Sequence, residues 1–247
     1  MSQMPVNAGR LIGVGVGPGD PELLTLKAVR ALGEADVIAF FSKLGNGSHA
    51  RAIACGHFRV GVEELPLGYP VTTEMPKDEA PYKDAIAAFY DASAQAVAAH
   101  LDAGRTVAVL SEGDPLFYGS YMHLHVRLAS RYPAEVIAGV TGMSGCWSQA
   151  GVPITQGDDV LSVLPGTLSE EQLTRRLRET DAAVIMKVGR NLPKIRRALA
   201  AAGKLAQALY VERGTMEGGH CVKLEGRAEM PAPYFAIVLV PGWEARR

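Results

Sequence analysis

Short apolar runs alternate with longer amphipathic stretches through the first half of the chain. Continuous apolar runs are typical of strands buried on both faces, and apolar residues every three or four positions predict helices. Strands are predicted at residues 10–16, 36–41, 58–62, 105–110 and 134–138. Helices are predicted at residues 25–32, 50–55, 82–103 and 121–130, with a further short helix ending at Ala150. This alternation indicates an α/β fold with a mostly parallel sheet.

The pattern changes at residues 151–153, Gly-Val-Pro. Strands are predicted beyond it at residues 160–164, 182–187, 206–211, 221–227 and 234–240, with helices at 169–179 and 191–202. Because the last strands follow one another without a helix, this half should form a mixed sheet. We therefore predict two α/β domains of about five strands each, residues 1–150 and 151–247.

Residues 65–81 contain four prolines and predict a long loop-rich excursion. Long loops in compact domains are often functional, so this segment is either a flap over a cleft or a surface connection.

Composition narrows the class of protein. The chain is 48% hydrophobic and 21% charged, as in ordinary soluble domains, and its net charge of −1 argues against a general nucleic-acid binder. The three cysteines lack CxxC spacing, which fits a reducing compartment. The N-terminus has no apolar signal region, and the longest aliphatic run, residues 235–240, is far below the roughly 18 residues of a membrane span. We expect a cytoplasmic protein without membrane or nucleic-acid partners.

Special turns follow three predicted strands. Residues 17–21 read Gly-Pro-Gly-Asp-Pro, residues 111–119 contain Glu-Gly-Asp-Pro, and residues 139–145 carry three glycines. Open α/β folds bind ligands at the carboxyl ends of their strands, so these loops are candidate ligand contacts. Residues 13–19 resemble a dinucleotide fingerprint, but Pro18 replaces its last glycine, which argues against NAD.

Individual side chains leave alternatives open. Asp114 either caps its turn or bonds a ligand hydroxyl. The apolar residues that follow, Leu116, Phe117 and Tyr118, either wall a slot for a flat ring or belong to the core. His123 and His125 are two apart on a predicted helix and cannot share a face, so we predict no catalytic metal. Basic residues at or near strand ends are the candidates for contacting an acidic ligand: Lys43, His49, Arg51, Lys187 and Arg213.

Residues 14–26, 113–115, 139–141 and 212–215, together with Met186, resemble the tetrapyrrole methylases of cobalamin and sirohaem biosynthesis. That family transfers a methyl group from S-adenosylmethionine. Residues 111–122 resemble its precorrin-2 C20-methyltransferase branch more than the others. Glu112 stands where uroporphyrinogen-III methylases usually have glycine, and residues 117–120 fit the diphthine synthases less well.

The resemblance implies a class III methyltransferase fold of two α/β domains, with the co-substrate in the cleft between them, and a homodimer. It implies S-adenosylmethionine contacts from these residues: Pro18, Gly113, Asp114, Phe117, Thr141, Gly142, Met186, Glu212 and Tyr234. The implied substrate is precorrin-2, the implied products include S-adenosylhomocysteine, and the implied reaction is attack by the electron-rich carbon C20 on the sulfonium methyl. Loss of the C20 proton needs an acceptor, for which Glu112, Tyr118 and His123 are candidates by position only.

Three alternatives stay open. The chain could be a sister methylase that acts on the cobalt complex of precorrin-2 or on uroporphyrinogen III. From other classes, it could be an NAD-dependent oxidoreductase or a non-catalytic S-adenosylmethionine-binding module.

Overall fold

The computed structural model describes residues 8–43, 46–70, 80–228 and 230–242. The chain divides into two compact units, residues 1–141 and 142–247. Each unit has its own five-stranded sheet, in agreement with the prediction of two α/β domains. The predicted boundary near residue 150 falls at the end of a nine-residue helix, Gly142–Ala150, which groups with the second unit.

The sheet of the first unit is parallel. Its strands are β1 (Leu11–Gly15), β2 (Val37–Lys43), β3 (Glu63–Tyr69), β4 (Val107–Ser111) and β5 (Ala134–Ile137). They lie in the order β3-β2-β4-β1-β5, and all four pairings run in parallel. Every residue of β1 and β4 is buried, because helices cover both faces of the sheet.

Four helices divide between the two faces: α1 (Leu26–Glu34), α2 (His49–Ala54), α3 (Ala80–Asp102) and α4 (Tyr121–Leu128). Leu32 of α1 and Ile53 of α2 pack with Val14 on one face. Helices α3 and α4 contribute Leu101 and Leu124 to the core on the other. The chain therefore leaves the neighbouring strands β1 and β4 toward opposite faces, the arrangement that opens a crevice at the carboxyl edge of such sheets.

The sheet of the second unit is mixed, as predicted. Its strands are β6 (Leu161–Pro165), β7 (Ala182–Met186), β8 (Leu209–Glu212), β9 (His220–Lys223) and β10 (Ala236–Val240). Their order is β6-β7-β10-β8-β9; β6 and β7 pair in parallel and the other pairings are antiparallel. Helix α5 (Gly142–Ala150) packs on one face, and helices α6 (Glu170–Arg178) and α7 (Leu192–Ala201) pack on the other.

The prediction of the third strand was wrong. Residues 58–62 form a turn, and Val60, expected inside a strand, is 99% exposed. The strand is β3, which contains Pro66; proline is tolerated there because β3 is an edge strand. The long loop predicted over residues 65–81 is therefore shorter, because β3 includes residues up to Tyr69 and α3 begins at Ala80. Pro81 lies in the first turn of α3, where a missing N–H costs no hydrogen bond, and residues 71–79 lie outside the described part of the chain.

Candidate functional site

The loops after β1 and β4 are joined by their backbones. Val16 donates its N–H to the Ser111 carbonyl at 3.0 Å, and Gly113 donates to the Gly17 carbonyl at 2.8 Å. Gly17 and Gly113 form an antiparallel bridge beyond the ends of the parallel strands. Both have positive φ, 79° and 66°, which glycine adopts without a steric penalty. The two loops are thus one backbone structure at the carboxyl edge of the sheet.

Glycines in this region serve contacts within the protein. A Cβ on Gly15 would lie 2.5 Å from the Gly139 nitrogen and 2.7 Å from the Gly113 carbonyl oxygen, and one on Gly139 would collide with that same oxygen. Gly13 faces the ring of Tyr121, which fills the space that a side chain would occupy. The glycine pattern that resembles a dinucleotide fingerprint therefore has a packing explanation.

Asp114 connects the loops after β4 and β5. Its Oδ1 accepts a hydrogen bond from the Leu116 N–H at 2.9 Å, and its Oδ2 accepts one from the Gly139 N–H at 3.1 Å. The turn-capping interpretation is therefore confirmed, and the cross-loop bond adds a role that the sequence did not indicate. Its contact with a ligand stays a prediction.

The middle of the β4 loop presents apolar side chains to solvent. Leu116 is 50% and Tyr118 47% exposed, and the rings of Phe117 and Tyr118 lie 4.9 Å apart. Tyr118 has a φ of 55°, a conformation that costs a bulky residue on the order of 1–3 kcal/mol and is concentrated at functional sites. The next residue, Gly119, leaves no room for a side chain, since a Cβ would lie 2.6 Å from Ser111 Oγ.

The three candidate proton acceptors lie in different surroundings. Glu112 directly follows β4, and its carboxylate lies beside the start of α2, where it accepts a hydrogen bond from the Ala50 N–H next to His49. Burial raises the pKa of this carboxyl group above its usual value, against the opposing effects of these two neighbours. His123 stacks on Tyr90 of α3 at 3.9 Å, and desolvation together with nearby Arg127 lowers its pKa. Tyr118 is on the exposed loop. Glu112 and His123 thus contact helices on opposite faces of the sheet.

Two of the first-unit cofactor candidates flank these loops. Pro18 is buried in the β1 loop, and Thr141 is partly buried at the end of the loop that follows β5. Pro18, Gly113, Asp114 and Phe117 thus belong to two loops that share hydrogen bonds, and Thr141 to the third.

The candidates in the second unit share one edge of its sheet. Strands β7 and β8 flank β10 and run antiparallel to it. Their last residues, Met186 and Glu212, therefore lie beside the start of β10, which follows Tyr234. Met186 packs in the core on the α5 side, whose first residue is Gly142. Glu212 lies on the other face and accepts a hydrogen bond from the Tyr210 hydroxyl at 2.6 Å. Tyr234 is 86% exposed.

Among the basic candidates, Lys187 and Arg213 stand out. They directly follow β7 and β8, are exposed, and have φ values of 55° and 51°. Arg51 instead pairs with Glu64 at 2.8 Å, which indicates a structural role. The positive φ values of Lys187 and Arg213 could not be predicted from the sequence, because no local sequence signal marks a lysine or arginine that adopts the left-handed backbone conformation.

Sequence reasoning also missed Tyr69, whose hydroxyl contacts both Tyr90 and Ser120. No local signal could have found it, because these partners are 21 and 51 residues away. Within the described ranges, no group of three His, Cys, Asp or Glu side chains is arranged to hold a metal ion. Among the helices in those same ranges, none combines the length and apolarity needed to cross a membrane.

Comparison with known proteins identifies the family. The model of the tetrapyrrole (corrin/porphyrin) methylases matches residues 10–227. A precorrin-2 C(20)-methyltransferase from Sinorhizobium sp. is 68% identical over 98% of both chains. A cobalt-precorrin-2 C(20)-methyltransferase from Salmonella typhimurium is 28% identical over 96% of this chain and 98% of its own.

Solved structures agree in fold. A cobalt precorrin-4 methyltransferase superposes with a TM-score of 0.70 at 21% identity, over 95% of each chain. A uroporphyrin-III C-methyltransferase from Thermus thermophilus, solved with S-adenosylhomocysteine, gives 0.66 at 24% identity, over 96% of this chain and all of its own. The chain belongs to the tetrapyrrole methylase family.

Proposed function

We propose that this protein transfers a methyl group from S-adenosylmethionine to carbon C20 of precorrin-2 in cobalamin biosynthesis. The observation that carries the proposal is the 68% identity to a precorrin-2 C(20)-methyltransferase over 98% of both chains. The relative named for the cobalt substrate is only 28% identical over a similar length, which favours metal-free precorrin-2.

The residues at the carboxyl edge of the first sheet fit such a co-substrate. Leu116 and Tyr118 offer half-exposed apolar and aromatic surface there, and an aromatic face attracts a sulfonium cation. S-adenosylmethionine supplies an activated methyl group: the bond from C20 to the methyl carbon forms as the carbon–sulfur bond breaks, releasing S-adenosylhomocysteine. Little covalent chemistry is required of the protein, so most of the rate comes from holding carbon and methyl in line.

The co-substrate contacts are proposed from the family resemblance. In the first unit, Gly113, Asp114 and Phe117 of the β4 loop would contact it, with Pro18 and Thr141 from the neighbouring loops. Support comes from the hydrogen bonds that connect these three loops. The second unit would contribute Gly142, Met186, Glu212 and Tyr234, of which the last three meet at one edge of its sheet.

Glu112 is the proton acceptor that we propose for C20. Its burial raises the pKa of the carboxyl group, and a carboxylate with a raised pKa is a stronger base. His123 is less suited, because its ring is stacked on Tyr90 and its pKa is lowered. Tyr118 is the weaker alternative, because its side chain is 47% exposed on the loop and lacks the burial that makes Glu112 a stronger base.

Precorrin-2 carries many carboxylates, whereas the net charge of the chain is −1. Local basic groups must therefore attract it. We propose Lys187 and Arg213 for this role, because both are exposed at strand ends.

We also propose a cytoplasmic homodimer. The dimer is implied by the family resemblance, and the reducing compartment is supported by three cysteines that are all free thiols. Sedimentation equilibrium tests the assembly: a mass of twice 26.2 kDa is expected, and a monomer at micromolar concentration would contradict it.

The activity is tested by anaerobic incubation with precorrin-2 and methyl-labelled S-adenosylmethionine, followed by mass and carbon NMR analysis of the product. One labelled methyl group at C20 is expected. A parallel reaction with cobalt-precorrin-2 should be slower. Preference for the cobalt complex would reassign the substrate, and a label at another carbon would make the protein a sister methylase. Binding without any transfer would make it a non-catalytic module.

A further inference from the structure

A hydroxyl network joins the edge strand β3 to the start of α4. Tyr69, the last residue of β3, contacts Ser120 Oγ through its hydroxyl and also lies 3.1 Å from the hydroxyl of Tyr90. These three residues come from β3, α3 and the residue that precedes α4, so the network spans elements that are far apart in sequence.

The ring of Tyr69 is held independently of its hydroxyl. It packs 4.5 Å from the ring of Phe89 and 5.8 Å from that of Phe41. Tyr90 is in turn covered by the stacked ring of His123. Since aromatic contacts fix the ring, removal of the hydroxyl alone should leave the fold of this region intact.

Ser120 occupies the N-cap position of α4 but does not cap it. A serine at this position ordinarily accepts a hydrogen bond from a backbone N–H of the first turn, which stabilises a helix by about 1 kcal/mol. Here the Ser120 side chain makes no such bond, and its hydroxyl contacts Tyr69 instead. The local helix thus forgoes a stabilising contact in favour of a long-range one.

Ser120 directly follows the loop of residues 112–119, which contains the proposed co-substrate contacts. Asp114 holds the first part of this loop through Gly139, and Ser111 packs closely against Gly119 near its end. Between them lies Tyr118 with its positive φ. The contact of Ser120 with Tyr69 is therefore a side-chain restraint close behind the strained residue.

We propose that Tyr69 is a positioning residue for methyl transfer: its hydroxyl, through Ser120, fixes the end of the 112–119 loop and so places Tyr118 and the co-substrate contacts. This inference rests on the proposed function for its kinetic readout. It assigns no contact between Tyr69 and either substrate.

The first test is Tyr69→Phe, which removes the hydroxyl and keeps the ring. We expect kcat to fall about tenfold and KM for S-adenosylmethionine to rise severalfold, because a small displacement of positioning groups is costly to an in-line transfer. The thermal midpoint should change by no more than a few degrees, since the aromatic packing is unchanged.

A double-mutant cycle isolates the contact. Ser120→Ala should reproduce most of the kinetic effect of Tyr69→Phe, which also loses the contact with Tyr90. The double variant should be no worse than Tyr69→Phe, because both changes remove the contact between Tyr69 and Ser120. Additive losses would show that the two hydroxyls act separately and would overturn the proposal.

Tyr132→Phe is the matched control. Tyr132 is a buried tyrosine of the same unit whose hydroxyl donates to Asp102 at 2.6 Å, away from the loop. Its loss should leave kcat and KM at wild-type values. Equal kinetic losses in Tyr69→Phe and Tyr132→Phe would reduce Tyr69 to a general stability residue.

Calorimetric binding of S-adenosylhomocysteine separates failure of this inference from failure of the proposed function. If wild-type protein binds it but methylates neither tetrapyrrole, the function is wrong, and Tyr69→Phe should still weaken binding severalfold. Wild-type affinity together with wild-type kinetics in Tyr69→Phe would refute the positioning role.

Discussion

The two sheets differ in how they hold the edge that carries the candidate site residues. In the first unit, the loops after β1, β4 and β5 are held by backbone hydrogen bonds, by Asp114 and by glycine contacts without room for a Cβ. In the second unit, the strand ends carry left-handed basic residues, and the side chains of Met186 and Glu212 lie on opposite faces. The first edge is therefore set by main-chain packing, and the second by side chains on a strained backbone.

This contrast predicts that glycine substitutions act most strongly at the first edge. In Gly139→Ala the new methyl group collides with the Gly113 carbonyl, which no rotamer can relieve, so we expect loss of several kcal/mol of stability or failure to fold. Urea unfolding followed by circular dichroism measures it.

Gly33→Ala is the control, because Gly33 lies in α1 with open space around its Cβ position. It should raise stability by up to about 1 kcal/mol, since alanine is the better helix former. A folded Gly139→Ala protein of wild-type stability would show that the loops can separate and would remove the basis of the comparison.

Glu112→Gln should affect catalysis more than folding. We expect turnover to fall on the order of 100-fold, as is typical when a proton acceptor is lost. In wild-type protein, kcat should decline as the pH falls through the raised pKa of Glu112, because the carboxylate must be ionised to accept the proton. If kcat of the wild type did not decline at low pH, and if Glu112→Gln kept its turnover, proton removal would be reassigned to solvent or to the macrocycle.

Stability gives an independent readout at the same position. A carboxyl group whose pKa is raised in the folded state favours folding at low pH, and this contribution is lost as the pH rises through the folded-state pKa. The change in thermal midpoint caused by Glu112→Gln should therefore be more favourable above pH 7, where the buried carboxylate is charged in the wild type, than near pH 4. The opposite trend would mean that the hydrogen bond to Ala50 and the charge of His49 outweigh desolvation.

Asp114→Ala should weaken both structure and binding. It removes the acceptors of the Leu116 and Gly139 N–H groups, a loss of about 1–3 kcal/mol, and it should lower S-adenosylhomocysteine affinity about tenfold. Asp91→Ala, which breaks an exposed ion pair with Arg127, is the control and should change neither quantity appreciably. Full affinity in folded Asp114→Ala would make the residue a structural link only.

The smallest effect is expected at the second edge. Arg213→Gly relieves a positive φ and should raise stability by about 1 kcal/mol, while KM for precorrin-2 rises because a cation is lost. Arg213→Lys keeps the charge and the strain, so it should approach wild type in both. An unchanged KM in Arg213→Gly would remove Arg213 from the proposed substrate contacts.

Much of this architecture was predictable because burial on both faces leaves continuous apolar runs, as in β2 and β4. The third strand was misplaced because an edge strand is only partly buried, so Val60 in the preceding turn gave a stronger apolar signal than Leu65 in β3. The glycine-rich loops could be recognised in the sequence as a candidate site, but the residues that pack against these glycines could not. For example, the ring that leaves no room for a side chain at Gly13 belongs to Tyr121, more than one hundred residues later.

The three-way contact of Gly15, Gly113 and Gly139 has a consequence for how sequences of this kind can diverge. Neither Gly15 nor Gly139 can acquire a side chain while the other two loops stay in place, and the positive φ of Gly113 favours glycine, so single substitutions offer no easy route through which the motif can change. Its persistence in a lineage would then record the geometry of the scaffold and carry no information about which macrocycle is methylated. Assignment of substrates among divergent members should accordingly weigh the positions whose side chains face outward from these loops, such as Leu116 and Tyr118, above the glycines themselves.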